Sequence, residues 1–363
     1  MNVAQEFEPL YRAARSLPLG QGPCAAALVT ITRTRGSTFR RAGASMLVLP
    51  DGHMICELSG GCPQRDIVLR ATQVIEHGRA ALVGYGRESN YDVMIETGCG
   101  GELEVLIEPW RETSDIDFLH AMAKLRAQRQ SGAMATVFAT DGVVDTPRPR
   151  RLVRGSDVWW HDADGTSMRG AMESAMATMR DATADTLRLD IDGRLHDVLL
   201  EGIEPPHALL VVGDGLGARL LCDIAVRLGW HATLSTPAAT NITLPDGIRH
   251  VIATPGALAS KVVIDAMTSV VVMTHQLERD LQYLKVLLDS PAPYVGVIGS
   301  RQRAGKIRKA FPGAQSRLRV PAGLDVGSET PQEIALAVAA EILALRNGRQ
   351  GGPLSLSLSS IHA

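Results

Sequence analysis

The chain is poor in aromatic side chains, nearly neutral and without a long hydrophobic run, and each lack removes a class of function. Aromatics make up 4% of its 363 residues, too few for the stacking platforms that hold single-stranded nucleic acid. Lys and Arg number 37 against 39 Asp and Glu, a formal charge of −2, so no basic field invites nucleic acid or an anionic membrane. The longest apolar stretches, such as residues 269–273, fall far short of the roughly 20 residues a bilayer-spanning helix needs. Residues 1–8 are acidic and lack the apolar core of a secretory signal. Cysteine is scarce and odd in number (Cys24, Cys56, Cys62, Cys99, Cys222), with no C-x-x-C pair, which argues against a disulfide framework or a zinc site. No P-loop is present. The expectation is a cytoplasmic protein with reduced thiols and an ordinary globular balance, 45% hydrophobic and 21% charged.

That length exceeds a single ordinary core. The expected class is α/β: an N-terminal α/β domain with an internal duplication, then a C-terminal Rossmann-like domain built on a parallel sheet. The boundaries read as 1–110, 111–205 for a middle region that echoes the first, 206–347 for the Rossmann-like domain, and 348–363 for a loose tail rich in Gly and Ser. In the first block, helices are expected near 4–16 and 64–77, with β-rich runs at 25–31, 45–49, 80–83 and 103–107. The echo places helices over 115–130 and 171–181 among strands, and the endings match, Ile107-Glu108-Pro109 against Ile203-Glu204-Pro205. After Pro205-Pro206, short apolar strands alternate with helices, the pattern of a doubly wound sheet. Its last helix, 331–346, has Thr330 as N-cap, Pro331 in the first turn and Glu333 at the third position.

Against this background, two cysteines stand out because glycine surrounds them: Gly60-Gly61-Cys62 and Gly98-Cys99-Gly100-Gly101. Glycine lets the backbone take positive φ and lets a ligand come close, and Cys62 begins a predicted helix, whose N-terminus lowers a thiol pKa. Such thiolates can ligate a soft metal or hold a labile sulfur. The echo has no glycine-flanked cysteine, so the fold alone does not require one. Cys24, Cys56 and Cys222 sit in apolar surroundings and read as packed side chains. Residues 33–44 read as a loop with four arginines, including Arg40 and Arg41, beside Ser37; it suits a phosphate or oxyanion, or is a solvated basic turn.

In the third block, Gly213-Asp214-Gly215-Leu216-Gly217-Ala218 follows a strand and opens a helix, as a phosphate-binding turn does. The acid expected about 20 residues on, for a ribose hydroxyl, is replaced by Ser235-Thr236-Pro237. Met273-Thr274-His275, with Asp280 beyond it, and Ile298-Gly299-Ser300-Arg301 both end strands at the sheet edge where such folds bind ligands. His275 reads as a general base, a ligand or a capping residue.

Together these motifs resemble the XdhC/CoxI family, the accessory proteins of xanthine dehydrogenase and related molybdenum hydroxylases. The resemblance rests on residues 36–48, on Gly60-Gly61-Cys62, on Cys99-Gly100-Gly101-Glu102-Leu103-Glu104-Val105, on Met273-Thr274-His275 with Asp280, on Gly299-Ser300-Arg301, and on residues 323–335 including Asp325. It implies a molybdenum-cofactor (molybdopterin) chaperone that binds the cofactor, supports or protects its sulfurated form and delivers it to an apo molybdenum hydroxylase of the xanthine dehydrogenase type. A cysteine desulfurase as second partner, a homodimer and a nucleotide at the glycine turn are further implications. Cofactor-binding residues would be Ser37, Arg40, Arg41, Gly60, Gly61, Cys62, Cys99, Gly100, Gly101, Gly213, Gly215, Gly217, His275, Gly299, Arg301 and Asp325, with Cys62 and Cys99 toward the metal. Three positions depart from the family pattern: Gln64 stands where a glutamate is usual, Leu216 where a histidine is common, and Ser235-Thr236-Pro237 where an Asp-and-Arg cluster is usual. The alternatives are a nucleotide-dependent oxidoreductase and an enzyme that attaches a nucleotide to the cofactor; a chaperone rather than a catalyst is the expected reading.

Overall fold

The computed structural model describes residues 4–59, 61–86, 100–144, 148–179, 184–239, 242–314 and 316–356, with the side chains of residues 4, 61 and 62 outside that description. The chain divides into two compact units, Met1–Pro205 and Pro206–Ala363.

In the first unit, α1 (Ala4–Arg15) leads into β1 (Ala26–Arg35), β2 (Ser45–Val48), β3 (Met54–Ile55), α2 (Gly61–His77), β4 (Ala81–Tyr85) and β5 (Glu102–Trp110). Then α3 (Asp117–Ala127) leads into β6 (Gly132–Thr140), β7 (Val143–Val144), β8 (Arg150–Gly155), β9 (Trp159–His161), α4 (Gly165–Ala177), β10 (Asp185–Ile191) and β11 (Arg194–Ile203). The first sheet has the order β3-β2-β1-β5-β4 and the second β9-β8-β6-β11-β10, with β7 added on β6. Apart from β7, the two halves share one topology, with a helix after the third strand of each sheet. The expected internal duplication is therefore visible in the fold. Among the boundaries that differ, Asp164-Gly165, which reads as a turn, opens α4 six residues before the expected start at 171, and Gly165 supplies a left-handed φ of +74° there.

Alternation along the strands sets the layers. Ala27, Val29 and Ile31 of β1 pack with Ile67, Ala71 and Val74 of α2, whereas Leu28 joins Met134 and Val153 of the second sheet. Ala135 and Val137 of β6 pack with Met172, Ala175 and Met176 of α4. The sheets thus stack face to face with one helix outside each. Among the described residues, Arg151 and Arg33 carry ion pairs across the seam. Arg151 of β8 donates to Glu108 of β5 at 2.5 Å, with side chains 6% and 2% exposed. Arg33 of β1 donates to Asp197 of β11 at 2.5 Å and to Glu104 at 2.8 Å.

The second unit comprises β12 (Ala208–Val212), α5 (Leu216–Arg227), β13 (His231–Thr236), β14 (Ile248–Ile252), α6 (Leu258–Lys261), β15 (Thr268–Val272), α7 (Leu277–Leu288), β16 (Tyr294–Val297), α8 (Arg301–Ala310), β17 (Leu318–Arg319) and α9 (Pro331–Arg346). Its six strands are parallel in the order β14-β13-β12-β15-β16-β17. Counted along the chain this is 3-2-1-4-5-6, the Rossmann order, whose ligand crevice opens where the order reverses, between β12 and β15. α5 and α9 cover one face through Leu221, Ala225, Val338 and Ile342, and α7 and α8 the other through Tyr283, Leu284, Ala304 and Ile307. The capping box of Thr330 and Glu333 forms at the start of α9. No helix among the described residues is long and apolar enough to cross a membrane.

Breaking a buried ion pair by removing one partner leaves a charge in a dry place, at a cost of about 3–5 kcal/mol. Arg151→Ala is expected to lower the stability measured by urea unfolding by that amount, and Arg151→Met combined with Glu108→Leu to recover most of it.

Candidate functional site

Of the residues singled out in the first unit, Ser37, Arg40 and Arg41 lie in the loop between β1 and β2, and Gly101 packs against it. That loop is shorter than its composition suggests. Arg33, Thr34 and Arg35 are strand residues, paired in register with Glu104, Leu103 and Glu102 of β5. Arg33 is committed to Glu104 and Asp197. The loop proper is 36–44, and within it Arg40 grips Glu6 of α1 with both terminal nitrogens, Nη2 to Oε2 at 2.8 Å and Nη1 to Oε1. Arg40 Nη1 also donates to the Glu57 carbonyl at 3.4 Å. Ser37 and Arg41 are exposed, and Arg41 is the loop cation that faces solvent.

The second cysteine motif is held against this loop. A Cβ on Gly101 would lie 2.0 Å from the Ser37 carbonyl oxygen and 2.8 Å from Thr38 Cγ2, so only glycine fits. Gly100, with φ +73°, makes the approach. Cys99, one residue earlier, lies outside the described residues, as does Gly60. Gly61 opens α2 and Cys62 stands second in it, so its backbone sits in the first helical turn, where N–H groups have no partner within the helix. Gln64 is buried in the next position but one. Its Oε1 accepts from Leu58 N at 3.3 Å and Ser59 N at 3.0 Å, and its Nε2 donates to the Sδ atoms of Met46 and Met54, each at 3.0 Å.

The three described thiols are poor nucleophiles. Burial pushes Cys24 up. Burial, helped by Glu6, pushes Cys56 up to about 11, and burial takes Cys222 to about 12. Among the described residues no group of three or more His, Cys, Asp or Glu could hold a metal ion.

In the second unit the glycine turn lies at the switch point. Gly213, with φ +151°, passes so close to β15 that a Cβ would be 2.5 Å from the Met273 carbonyl oxygen. A Cβ on Gly215 would sit 3.0 Å from His275 Nε2, and one on Gly217 3.1 Å from Met273 Cε. His275 is exposed and itself takes a left-handed φ of +60°. Behind it, Thr274 Oγ1 donates to Asp280 Oδ1 at 2.5 Å, and the fully buried Asp280 also receives Arg303 Nη2. Arg303 escaped the sequence reading; its signal is Gly299, whose absent side chain leaves room for Arg303 Cδ, 2.7 Å from where a Cβ would be. Gly299, Arg301 and Asp325 line one cavity of about 450 Å³ with Gly323 and Ser328, within the range of small-molecule sites. At the end of β13, Thr236 Oγ1 donates to the Ala238 carbonyl at 2.8 Å and pairs with His250 Nε2 at 2.9 Å, so the ribose-reading position holds no acid.

A unit of two stacked sheets followed by a Rossmann unit defines a class of two-part α/β protein. Residues 21–86 match the XdhC and CoxI family and residues 209–342 match the XdhC Rossmann domain; the chain belongs to the XdhC and CoxI family. It is 27% identical over 329 residues to a probable xanthine dehydrogenase subunit of Bacillus subtilis (strain 168), covering 88% of this chain and 93% of that protein. It is 23% identical over 341 residues to the molybdenum cofactor insertion chaperone PaoD of Escherichia coli (strain K12), covering 92% and 86%. In fold it resembles a crystal structure described as a xanthine dehydrogenase from Bacillus halodurans, with a TM-score of 0.75 and 20% identity over 99% of this chain and 100% of that one.

Thiolate, not thiol, is alkylated. Peptide-resolved labelling with iodoacetamide at pH 7 is therefore expected to modify Cys62 and Cys99 well before Cys24, Cys56 and Cys222. Labelling of Cys56 should climb with pH and reach half its maximal rate near pH 11. Equal rates at all five positions at pH 7 would refute this ordering.

Proposed function

We propose that this protein is an accessory factor that binds molybdenum cofactor at the cysteine turns of its first unit and hands it to a molybdenum hydroxylase of the xanthine dehydrogenase type. The observation that carries the reading is the contact of Gly101 with Ser37 and Thr38. It holds the chain next to Cys99 on the loop that bears Arg41. A molybdopterin offers a phosphate, which suits an arginine and a hydroxyl, and a metal soft enough for thiolate sulfur. Arg41 and Ser37 would take the phosphate, while Arg40, paired with Glu6, would hold the loop in shape. Cys62 and Cys99 would face the metal or the sulfur it carries, which makes the pair suited to protecting the sulfurated cofactor and to receiving sulfur from a desulfurase. The raised thiols at Cys24, Cys56 and Cys222 leave these two for the role. The names of the relatives in Bacillus subtilis and Escherichia coli support the same assignment.

A nucleotide at Gly213-Asp214-Gly215 belongs to the proposal as a second ligand, supported by the Rossmann order of the sheet and by the way the turn opens α5. An oxidoreductase that uses NAD(P) is disfavoured because β13 ends in Ser235-Thr236 rather than in an acid.

The test is anaerobic gel filtration with isolated molybdenum cofactor, reading molybdenum content and pterin fluorescence. The wild type is expected to retain molybdenum, and Cys62→Ala and Cys99→Ala each to lose most of it. Gly101→Ala, which drives a Cβ into the Ser37 backbone, should lose retention although both thiols are kept. No retention by the wild type overturns the proposal.

A further inference from the structure

The cavity of about 450 Å³ in the second unit is lined from the end of β16, the head of α8, the loop after β17 and the first turns of α9. Ile298, Leu324, Ile334 and Ala337 give it apolar wall, and Arg301, Asp325 and Ser328 its polar side chains. A mostly apolar pocket of this size with a few polar groups is the usual form of a small-molecule site.

The loop is shaped by the fold itself. Leu324 N donates to the Ala337 carbonyl at 3.1 Å, and Gly323 N donates to Glu341 Oε2 at 2.9 Å. The same oxygen accepts from the Tyr294 hydroxyl at 2.6 Å, so Glu341 is engaged in the frame. On α8, Arg303 is engaged with the buried Asp280. Arg301 and Asp325 have no such duty. Both are exposed, both line the cavity, and among the described residues neither side chain makes a hydrogen bond or an ion pair, with the other or elsewhere. Ser328 Oγ is buried with no partner among the described residues, a state that costs free energy until something answers it.

Opposite charges left unpaired in one cavity suit a ligand that brings both an anion and hydrogen-bond donors. Guanidinium matches phosphate. An ionised carboxylate only accepts, which matches the hydroxyls of a ribose, the partner that an acid takes at the second strand of NAD-binding folds. Here that strand, β13, ends in Ser235-Thr236. The apolar wall matches the face of a base. An amino acid offers both charges but would leave most of the volume empty.

We propose that this cavity binds a ribonucleoside 5′-monophosphate, with the phosphate on Arg301 and Ser328, the ribose hydroxyls on Asp325 and the base against Leu324 and Ile334. The site is separate from the glycine turn, and it stands whether or not the first unit binds molybdenum cofactor.

Isothermal titration of the full chain with AMP, 2′-deoxy-AMP and adenosine tests this in wild type, Arg301→Ala, Asp325→Ala and Gly215→Ala. Hydrogen bonds to charged groups are the strong ones, so the wild type should bind AMP roughly tenfold more tightly than either analogue. Arg301→Ala should weaken AMP roughly tenfold and leave adenosine unchanged, whereas Asp325→Ala should weaken AMP by a similar factor and leave 2′-deoxy-AMP unchanged. Both side chains are exposed, so neither change disturbs the core. In Gly215→Ala the added methyl meets His275 at the glycine turn, 3.0 Å from Nε2, and AMP affinity should hold. No AMP binding by the wild type overturns the proposal, as does wild-type affinity in either cavity variant. Loss in the two cavity variants alone upholds it and removes the mononucleotide from the glycine turn. Loss in Gly215→Ala alone overturns it in favour of that turn, and loss in all three overturns the separation of the two sites.

Discussion

The first unit depends on two arginines that reach across its seam in opposite directions. Arg151 extends from the second sheet to Glu108 on the first, and Arg33 from the first sheet to Asp197 on the second. Neither contact is a cheap source of stability, because both partners give up water, and an apolar substitute is often as good. What the pairs supply is a fixed relation between two sheets that share a topology and could slide against each other. That relation reaches the site directly. Arg33 also binds Glu104. Three residues beyond Arg33 the chain leaves β1 at Gly36, and three residues before Glu104 stands Gly101; a Cβ on Gly36 would lie 3.6 Å from the Gly101 Cα. The bond that locks the seam therefore also fixes where the basic loop and the second cysteine motif meet.

The duplication makes an internal control for which residues serve the fold. In both halves a helix starts after the third strand and packs on the outer face of its own sheet. In the first half the helix opens with Gly61 and Cys62, and Gln64 in its first turn accepts from Leu58 N and Ser59 N. In the second it opens at Asp164-Gly165, and Asp164 pairs with Arg150 at 2.8 Å. The same frame is built with a glycine-flanked thiol in one copy and an exposed ion pair in the other. Packing of the helix against its sheet thus does not require the thiol.

Much of this was legible in the sequence, for physical reasons. The Rossmann strands are continuous apolar runs because both faces are covered, and the capping box of α9 is local. The echo could be read from the paired Ile-Glu-Pro endings because each stands at the C-terminal end of the corresponding strand of its half, β5 and β11. The end of β1 was not legible as strand: Arg33-Thr34-Arg35 carries no apolar face and reads as loop. Its signal lies in another part of the chain, in the Glu102-Leu103-Glu104 alternation that places opposite charges directly across the ladder. Arg40 reads as a phosphate ligand from its neighbours, but Glu6, which holds it, is far away in sequence and belongs to a helix. The fate of an arginine in such a loop is decided by tertiary contacts that local composition does not contain.

The second unit shows the same division between frame and chemistry. Its strand order, its glycine turn and the close passage of that turn over Met273 build the crevice of a dinucleotide fold. At the edge where an adenosine ribose is usually recognised, Thr236 is instead satisfied within the protein by Ala238 and His250. On the other side of the switch point the Thr274–Asp280–Arg303 chain ties the end of β15 to α7 and α8 and leaves Arg301 exposed beside the cavity at Gly299 and Asp325. Exposed polar groups thus stand at the glycine turn and the end of β15, in Asp214 and His275, and on the β16 side, in Arg301. The β13 edge, which reads the ribose in NAD-dependent enzymes, therefore offers no acid for that role here.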